Sequence, residues 1–121
     1  MNKHILVVDD DTQLRTILQV VLESETYLVD TASDGLIALD KIMHQQDMPE
    51  VILLDLNLPH MNGLQLIEVL RQHEEVQLDS IIVISGDSDA LQQASRLGIH
   101  YCVAKPFDLE TLLELVSTRV A

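Results

Sequence analysis

Hydrophobic and polar positions alternate along this chain in short blocks, and four of the apolar blocks end directly at a polar residue. These blocks are Ile5–Val8 before Asp9, Val51–Leu54 before Asp55, Ile81–Ile84 before Ser85, and Tyr101–Ala104 before Lys105. Four-residue runs of this kind, mostly β-branched, are typical of fully buried strands. A fifth and less hydrophobic segment, Tyr27–Thr31, predicts a strand nearer the edge of the sheet.

Five segments with helical periodicity lie between and after the strand segments. Their apolar stripes are Leu14, Ile17, Leu18, Val21 and Leu22; Leu36, Leu39, Ile42 and Met43; Leu64, Ile67 and Leu70; Ala90, Leu91, Ala94 and Leu97; and Leu109, Leu112, Leu113 and Val116. Spacing of this kind places each set on one face of a helix. We expect the first helix to begin near Thr12, capped by Asp11 or by Thr12 itself, and Asp34 to cap the second. The fourth stripe, half of it alanine and followed by Gly98, predicts a loosely held helix.

The order of these segments is strand then helix, repeated along the chain. Alternation of this kind predicts an α/β fold with a doubly wound parallel sheet and helices on both faces. At 121 residues, with no linker, repeat or low-complexity tract, residues 1–121 are expected to form a single domain. Sheets of this class bind ligands beyond the carboxyl ends of their strands, which is where the four polar run endings would meet.

The net charge of the chain limits the kinds of molecule that it is expected to bind. The formal charge is −13, from 7 basic and 20 acidic residues, which argues against a nucleic-acid or anionic-membrane surface because phosphate contacts need Lys and Arg. A solvated acidic surface is the alternative to any partner-specific meaning of this charge. No apolar stretch approaches the ~20 residues of a transmembrane helix. The opening Met1–His4 leads into too short an apolar run for a signal peptide.

The chain has one cysteine, Cys102, so a disulfide framework is excluded and a reducing, cytoplasmic compartment is expected. Because Cys102 lies inside an apolar run, a small buried hydrophobe is favoured over a nucleophile. The candidate chemistry is therefore sought at the strand ends rather than at this thiol.

Asp9, Asp10 and Asp11 directly follow the first strand segment. Successive strand residues face opposite ways, so at most two of the three converge on one site. Two carboxylates joined by Asp55 from a neighbouring strand would form an all-oxygen site, which suits Mg²⁺ or Mn²⁺. Asp11 is favoured as the helix cap, and a purely structural role for all three is disfavoured because caps do not come as triplets.

Asp55, Ser85 and Lys105 each have a structural interpretation beside a chemical one. Asp55 is a metal ligand, a nucleophile that holds a phosphoryl group, or a bare exposed residue. Ser85, followed by Gly86, is either a hydroxyl donor to a phosphoryl oxygen or part of a turn. Lys105, followed by Pro106, is either an ammonium for that phosphoryl group or a lysine reaching to solvent, and the X-Pro bond could be cis. All four endings in this order indicate phosphoryl handling with a divalent metal.

These residues make the chain resemble the receiver domains of two-component response regulators. The resemblance runs from about Lys3 to Arg119 and rests on the motifs Val8-Asp9-Asp10-Asp11, Asp55 through Gly63, Ile84-Ser85-Gly86 and Lys105-Pro106-Phe107. It implies a flavodoxin-like sheet of five strands in the order 2-1-3-4-5, with five helices. It also implies a phosphoacceptor switch rather than an enzyme, catalysing only its own phosphorylation and dephosphorylation.

The resemblance assigns the acceptor and the metal ligands. Asp55 matches the phosphoacceptor, which takes a phosphoryl group from a phosphohistidine of a sensor histidine kinase or a histidine phosphotransfer protein. Asp10 matches the direct ligand of Mg²⁺, with Mn²⁺ as the other candidate, and Asp9 matches its acidic neighbour. Asp55 itself and the main-chain carbonyl of Asn57 complete the implied ligand set.

The resemblance also implies how the acceptor's state is sensed and how long it lasts. Ser85 matches the hydroxyl that moves to meet the phosphoryl group, and Lys105 matches the lysine that pairs with it. Asn57 and Asp87 match two positions that influence the lifetime of the phosphoryl group. Phosphorylation is then expected to shift the loop before the fourth helix and to bias a pre-existing equilibrium.

One position departs from the family pattern. Family members usually carry, three residues before the lysine, an aromatic residue whose rotamer reports phosphorylation, and here that position is Cys102. The aromatic residue stands one place earlier, at Tyr101, and should therefore face the other side of the sheet. The coupling between hydroxyl and aromatic ring is accordingly in question in this chain.

Two other functions stand as alternatives. Asp9-Asp10-Asp11 contains the Asp-x-Asp of haloacid-dehalogenase-like phosphatases, but Gln13 stands where that motif wants Thr or Val, and Asp55 would have no task. The second alternative is a receiver that only binds a partner and is never phosphorylated. The output partner is open, since the chain stops after the fifth helix and is either a stand-alone receiver or part of a longer regulator. The face formed by the fourth helix, fifth strand and fifth helix is a candidate surface for a phosphorylation-dependent dimer.

Overall fold

Strands and helices alternate along the chain in the computed structural model, which describes residues 2–44 and 48–121. The strands are β1 (His4–Val8), β2 (Leu28–Ala32), β3 (Val51–Asp55), β4 (Ile81–Ser85) and β5 (Tyr101–Ala104). The helices are α1 (Thr12–Ser24), α2 (Gly35–His44), α3 (Gly63–Leu70), α4 (Ser88–Arg96) and α5 (Leu109–Val120), with a 3₁₀ turn at Leu78–Ser80. The predicted order of strands and helices is confirmed.

The strands form one parallel sheet in the order β2-β1-β3-β4-β5, which confirms the order that the resemblance implied. The strand order reverses between β1 and β3, and this is where doubly wound sheets bind their ligands. In the register, Asp55 lies beside Ile84 and Ser85 lies beside Ala104. Asp55 and Ser85, which end β3 and β4, and Asp9 and Lys105, which directly follow β1 and β5, therefore lie together at the C-terminal ends of the strands.

Helices cover both faces of the sheet because alternate strand residues point to opposite sides. Ile5 and Val7 pack with α1 and α5, in a cluster that includes Leu18 and Val116. The other face packs on α2, α3 and α4 through a second cluster, which includes Leu6, Val8, Ile42, Leu66 and Ala94. These two aliphatic layers fix the sheet and so fix the edge at which the polar residues meet.

The starts of α1, α2, α3 and α4 are capped by acidic or amide side chains, whereas Asp108 before α5 makes no such hydrogen bond. Asp11 accepts hydrogen bonds from two main-chain N–H groups in the first turn of α1, and Asp34 accepts one from Ile37 at 2.8 Å, so both predicted caps are confirmed. Asn62 caps α3 in a capping box with Gln65. Within residues 2–44 and 48–121, no helix is long and apolar enough to cross a membrane.

Two predictions were wrong at β5, and one was displaced at β2. Tyr101–Ala104 is not fully buried, because β5 is the last strand of the sheet and alternate residues in it are exposed. Cys102 is exposed for the same reason, rather than the buried hydrophobe that its apolar neighbours suggested. The strand predicted at Tyr27–Thr31 is β2, which begins and ends one residue later than predicted. It is the outermost strand on the side of β1, as its lower hydrophobicity predicted.

Candidate functional site

Three carboxylates converge at the C-terminal edge of the sheet, between β1 and β3. Carboxylate oxygens of Asp9, Asp10 and Asp55 all lie within 4.8 Å of one another. Asp9 and Asp55 are only 3% and 5% exposed, whereas Asp10 faces solvent. Asp11 turns away and binds the first turn of α1. Two of the three consecutive aspartates thus join Asp55, within the limit of two that was expected. They are adjacent residues, whereas strict alternation would pair Asp9 with Asp11, because β1 ends at Val8 and both lie beyond the strand.

The carboxylates of this cluster repel one another, and the burial of Asp9 disfavours its ionised form. Burial raises the pKa of the Asp9 carboxyl to about 6, and the charge on Asp55 adds to this rise, although the N–H of Asp11 and the charge on Lys105 oppose it. A raised carboxyl pKa means that the ionised form lacks sufficient compensation by solvent or cations. An all-oxygen donor set with surplus negative charge fits a hard divalent cation such as Mg²⁺ or Mn²⁺.

Lys105 points into the cluster rather than out to solvent. Its Nζ donates to Asp55 Oδ2 at 3.0 Å and lies 3.7 Å from Asp9 Oδ2. Burial by itself would lower the pKa of the ammonium, but the hydrogen bond to Asp55 and the charges of Asp55 and Asp9 together raise it. The peptide bond between Lys105 and Pro106 is cis. Lys105 is therefore a fixed positive charge beside the Asp55 carboxylate.

The loops after β1, β3 and β4 begin with the same type of turn. In each, a polar side chain at the strand end accepts a hydrogen bond from the main-chain N–H two residues later. The pairs are Asp9 Oδ1 with Asp11 at 2.9 Å, Asp55 Oδ1 with Asn57 at 2.9 Å, and Ser85 Oγ with Asp87 at 3.0 Å. Turns of this type are a local preference of aspartate and serine. Each turn fixes the direction of its side chain, so the site is held by the loops as well as by the strands.

Ser85 completes the edge as a buried hydroxyl, 2% exposed, at the end of β4. Its main-chain carbonyl accepts a hydrogen bond from the N–H of Lys105 at 2.8 Å, which ties the end of β4 to the end of β5. Asn57 and Asp87 lie in the loops after β3 and β4, and both are exposed. The structure thus brings Asp9, Asp10, Asp55 and Lys105 together, with Ser85 on the neighbouring strand.

Tyr101 and Cys102 face opposite sides of the sheet, as predicted. Tyr101 packs in the cluster of α1 and α5, where the Arg119 guanidinium lies 4.3 Å from the centre of its ring. Cys102 faces α4, with its Sγ 4.0 Å from the main-chain oxygen of Leu91. The ring therefore does not take the place of the aromatic residue that the family usually has.

Several contacts around the site were not predicted. Arg15 donates from Nη1 to the main-chain oxygen of Asp9 at 2.8 Å; its place in the first turn of α1 was the available signal. His60, in the loop after β3, has a positive φ of 65° and pairs with Asp34 at 2.9 Å. The N–H of Ile37 and this histidine lower the pKa of Asp34. Nothing in the local sequence pointed to this pair, because its partners are far apart along the chain.

Comparison with known proteins agrees with the geometry. The response regulator receiver domain family matches residues 5–117, and the chain belongs to this family. Sporulation initiation phosphotransferase F of Bacillus subtilis (strain 168) is 33% identical over 116 residues, covering 96% of this chain and 92% of that protein. Response regulator ArlR of Staphylococcus aureus is 39% identical over 112 residues, covering 90% of this chain and 48% of that protein. The chain thus spans about half the length of ArlR.

Solved structures show the same fold. The response regulator receiver protein from Pseudomonas putida has a TM-score of 0.87 and 32% identity, with 98% of each chain covered. Chemotaxis protein CheY4 of Vibrio cholerae has a TM-score of 0.85 and 28% identity, with 100% of each chain covered. The chain is therefore a receiver domain, a signalling domain built to act as a phosphoacceptor switch, and the phosphatase alternative is not favoured. Capping of α1 by Asp11 also removes the second aspartate that such a phosphatase would need.

Proposed function

We propose that Asp55 accepts a phosphoryl group from a phosphohistidine of a sensor histidine kinase or a histidine phosphotransfer protein. The observation that carries this proposal is the buried Asp55 carboxylate, held between two further carboxylates and the Lys105 ammonium. Response regulators act with partners of this kind. The unit proposed to act is residues 1–121 as one receiver domain, in the cytoplasm, and the single cysteine of the chain is compatible with a reducing compartment.

The proposed transfer needs only positioning and charge from the protein. A carboxylate oxygen of Asp55 forms a bond to phosphorus as the phosphorus–nitrogen bond of the partner's phosphohistidine breaks, and the released imidazole takes up a proton. The hydrogen bond from the Asn57 N–H holds one Asp55 oxygen, which orients the carboxylate. Lys105 lies where its ammonium can pair with an oxygen of the transferred group, and Ser85 can donate a hydrogen bond to another.

Asp9, Asp10, Asp55 and the main-chain carbonyl of Asn57 are the residues proposed to hold Mg²⁺, with Mn²⁺ as an alternative ion. When bound, the metal supplies neutralising charge for the phosphoryl oxygens. The raised pKa of Asp9 supports this assignment, since a cation relieves the repulsion between its carboxylate and that of Asp55. The domain would catalyse its own phosphorylation and dephosphorylation and act on no other substrate.

Two exposed residues and one surface complete the proposal. Asn57 and Asp87 flank the acceptor from the loops after β3 and β4 and are proposed to influence how long the acyl phosphate lasts. The face formed by α4, β5 and α5 is proposed to meet the output partner, or a second copy of the chain, after phosphorylation. The switch itself is a shift between two conformations that the phosphoryl group biases.

Labelling with a small phosphodonor tests the proposal. Acetyl phosphate with Mg²⁺ should convert the purified chain to a form with one acid-stable, alkali-labile acyl phosphate, and chelation of the metal should prevent this. Asp55→Asn should abolish labelling, because the amide is a far weaker nucleophile. Asp79→Asn is the matched control and should label normally, because Asp79 lies in the 3₁₀ turn before β4, at the N-terminal ends of the strands and away from the site. Full labelling of Asp55→Asn would overturn the assignment.

A further inference from the structure

Arg15 joins α1 to the segment Asp9–Asp11, which carries two of the proposed metal ligands. Its Nη1 donates to the main-chain oxygen of Asp9 at 2.8 Å. Its main-chain N–H donates to the main-chain oxygen of Asp11 at 3.0 Å, within the first turn of α1. A single residue of the helix therefore holds both ends of this segment.

The main-chain oxygen of Asp9 lies where a donor from the protein matters. Asp9 is 3% exposed, and the pairing of β1 with β2 ends one residue earlier, at Val8. A buried carbonyl oxygen without a donor is costly, and a hydrogen bond from a guanidinium is stronger than one from a neutral group. Loss of the Arg15 side chain should therefore let this carbonyl turn toward water.

The carbonyl that Arg15 holds belongs to the peptide unit between Asp9 and Asp10. This unit is planar, so fixing its oxygen fixes the rotation of the main chain on the carboxyl side of Asp9 and on the amino side of Asp10. The Asp9 side chain has a further anchor, the N–H of Asp11 at 2.9 Å. Asp10 faces solvent, so the direction of its carboxylate depends mainly on the main chain.

We propose that Arg15 is a positioning residue for the metal ligands. Its hydrogen bond holds the peptide between Asp9 and Asp10 so that both carboxylates converge with Asp55, whose oxygens lie within 4.8 Å of theirs. Arg15 acts through Asp9 and Asp10 and needs no contact with the metal or the phosphoryl group. The proposal rests on the proposed function, since it takes these carboxylates as the divalent cation site.

The charge of Arg15 and its position have opposite effects on a bound cation. A guanidinium near the site repels Mg²⁺ or Mn²⁺, so by charge alone its removal should tighten cation binding. If the hydrogen bond to Asp9 orients the ligands, removal should weaken cation binding, because groups that orient metal ligands are typically worth about 10–100-fold in affinity. The direction of the change therefore separates the two effects.

The test is the dissociation constant of Mn²⁺, measured without phosphodonor from the paramagnetic resonance signal of the free ion. Arg15→Met keeps most of the side-chain length but removes the charge and the donors, and it should raise the dissociation constant by about tenfold. Arg15→Lys keeps the charge and one kind of donor but is shorter and lacks the planar fork, so it should give a smaller rise of about threefold.

Arg71→Met is the matched control. It removes the same charge from the residue after α3, where Arg71 Nη1 donates to Glu68 Oε1 at 3.0 Å, and it should leave the Mn²⁺ dissociation constant unchanged. A second measurement is the rate of phosphoryl incorporation from acetyl phosphate at increasing Mg²⁺. Arg15→Met should need more Mg²⁺ to reach half of its maximal rate but should approach the wild-type rate at saturation, because Arg15 acts on metal binding alone.

Unchanged or tighter Mn²⁺ binding by Arg15→Met would overturn the proposal, as would an equal loss of affinity in Arg71→Met. A maximal rate that stays low at saturating Mg²⁺ would also overturn it, since Arg15 would then act on the transfer itself. If Arg15→Met does not fold, Arg15→Lys decides alone, and wild-type affinity in that variant is the contrary result. These results leave the proposed function standing, whereas a wild-type chain that neither binds Mn²⁺ nor takes up a phosphoryl group would remove both.

Discussion

The starts of α1 and α4 are built on the same plan but have different support behind them. In both, the side chain that ends a strand accepts the N–H of an aspartate two residues later, and that aspartate caps the helix. α1 then buries Leu18 and Leu22, whereas α4, fully described by the structure, buries Ala94 alone. At the start of α4, Ala90 and Leu91 are only partly buried against the core. We therefore expect the same local arrangement to be held less firmly in α4 than in α1.

The two strand ends also differ in charge. Asp9 is a buried carboxylate whose pKa is raised to about 6 by burial and by Asp55, while Ser85 is a neutral hydroxyl. A charged and crowded side chain suits a cation, and a neutral one can move toward a new acceptor without a large electrostatic cost. The metal side of the site is thus expected to stay fixed while the hydroxyl side responds.

The largest predicted difference is in packing. Leu22→Ala should lower the free energy of unfolding by about 2–5 kcal/mol, because the lost side chain is fully buried and leaves a cavity. Leu91→Ala in α4 should cost about half as much or less, since Leu91 is only partly buried. Urea unfolding measures both. Equal losses would mean that α4 is held as firmly as α1.

The next predicted difference is electrostatic and depends on pH. The folded pKa of Asp9 is raised from its usual value of 3.8 to about 6, so the folded state binds a proton more tightly than the unfolded state does. The contribution of Asp9 to stability is therefore most favourable below pH 3.8 and becomes less favourable as the pH rises to about 6. With the metal chelated, Asp9→Asn should raise the free energy of unfolding at pH 7 by up to about 3 kcal/mol.

The difference in stability between Asp9→Asn and wild type should grow between pH 4 and 6 and then level off. Ser85→Ala is the counterpart at β4 and should lower stability by about 1 kcal/mol, because it removes the acceptor of the Asp87 N–H. Mg²⁺ should stabilise the wild-type chain and have little effect on Asp9→Asn. If Asp9→Asn were less stable than wild type at pH 7, the negative charge of the wild-type Asp9 carboxylate would be compensated by its surroundings, contrary to this prediction.

The smallest predicted difference concerns the caps themselves. Asp11→Ala and Asp87→Ala each remove a cap worth about 1 kcal/mol. In α1 the loss should appear in global unfolding, because that helix unfolds with the core. In α4 it should appear mainly as faster amide exchange within Ser88–Leu91, with a smaller change in global stability. Urea unfolding combined with amide exchange distinguishes the two, and identical patterns would remove the distinction between the helices.

Most of the polar residues at the C-terminal ends of the strands were predictable, because each directly follows an apolar run in the sequence. Asp9, Asp55, Ser85 and Lys105 each end such a run, and a parallel sheet brings strand ends together whatever the details of packing. The burial of β5 was not predictable from its four apolar residues. Position at the edge of a sheet is set by strand order, and the order came from the family resemblance rather than from the pattern.

Contacts between distant segments were the other part that the sequence did not reveal. His60 and Asp34 are 26 residues apart, and neither lies in a pattern that points to the other. The stacking of Arg119 on Tyr101 depends on how α5 lies against β5. The cap at Asp87 had a local signal, an aspartate before a helical stripe, but the link to Ser85 appears only when the turn geometry is known.

Amide hydrogen exchange at Leu14 and Ala90, followed by NMR in one sample, compares the two helix starts most directly. Both N–H groups donate to a capping aspartate, at 3.3 Å in α1 and 3.4 Å in α4. On addition of acetyl phosphate and Mg²⁺, exchange at Ala90 should accelerate by about tenfold, which corresponds to ~1.4 kcal/mol of lost protection, while Leu14 stays unchanged. Phosphorylated Asp55 with unchanged exchange at Ala90, or with equal acceleration at both amides, would be the contrary result.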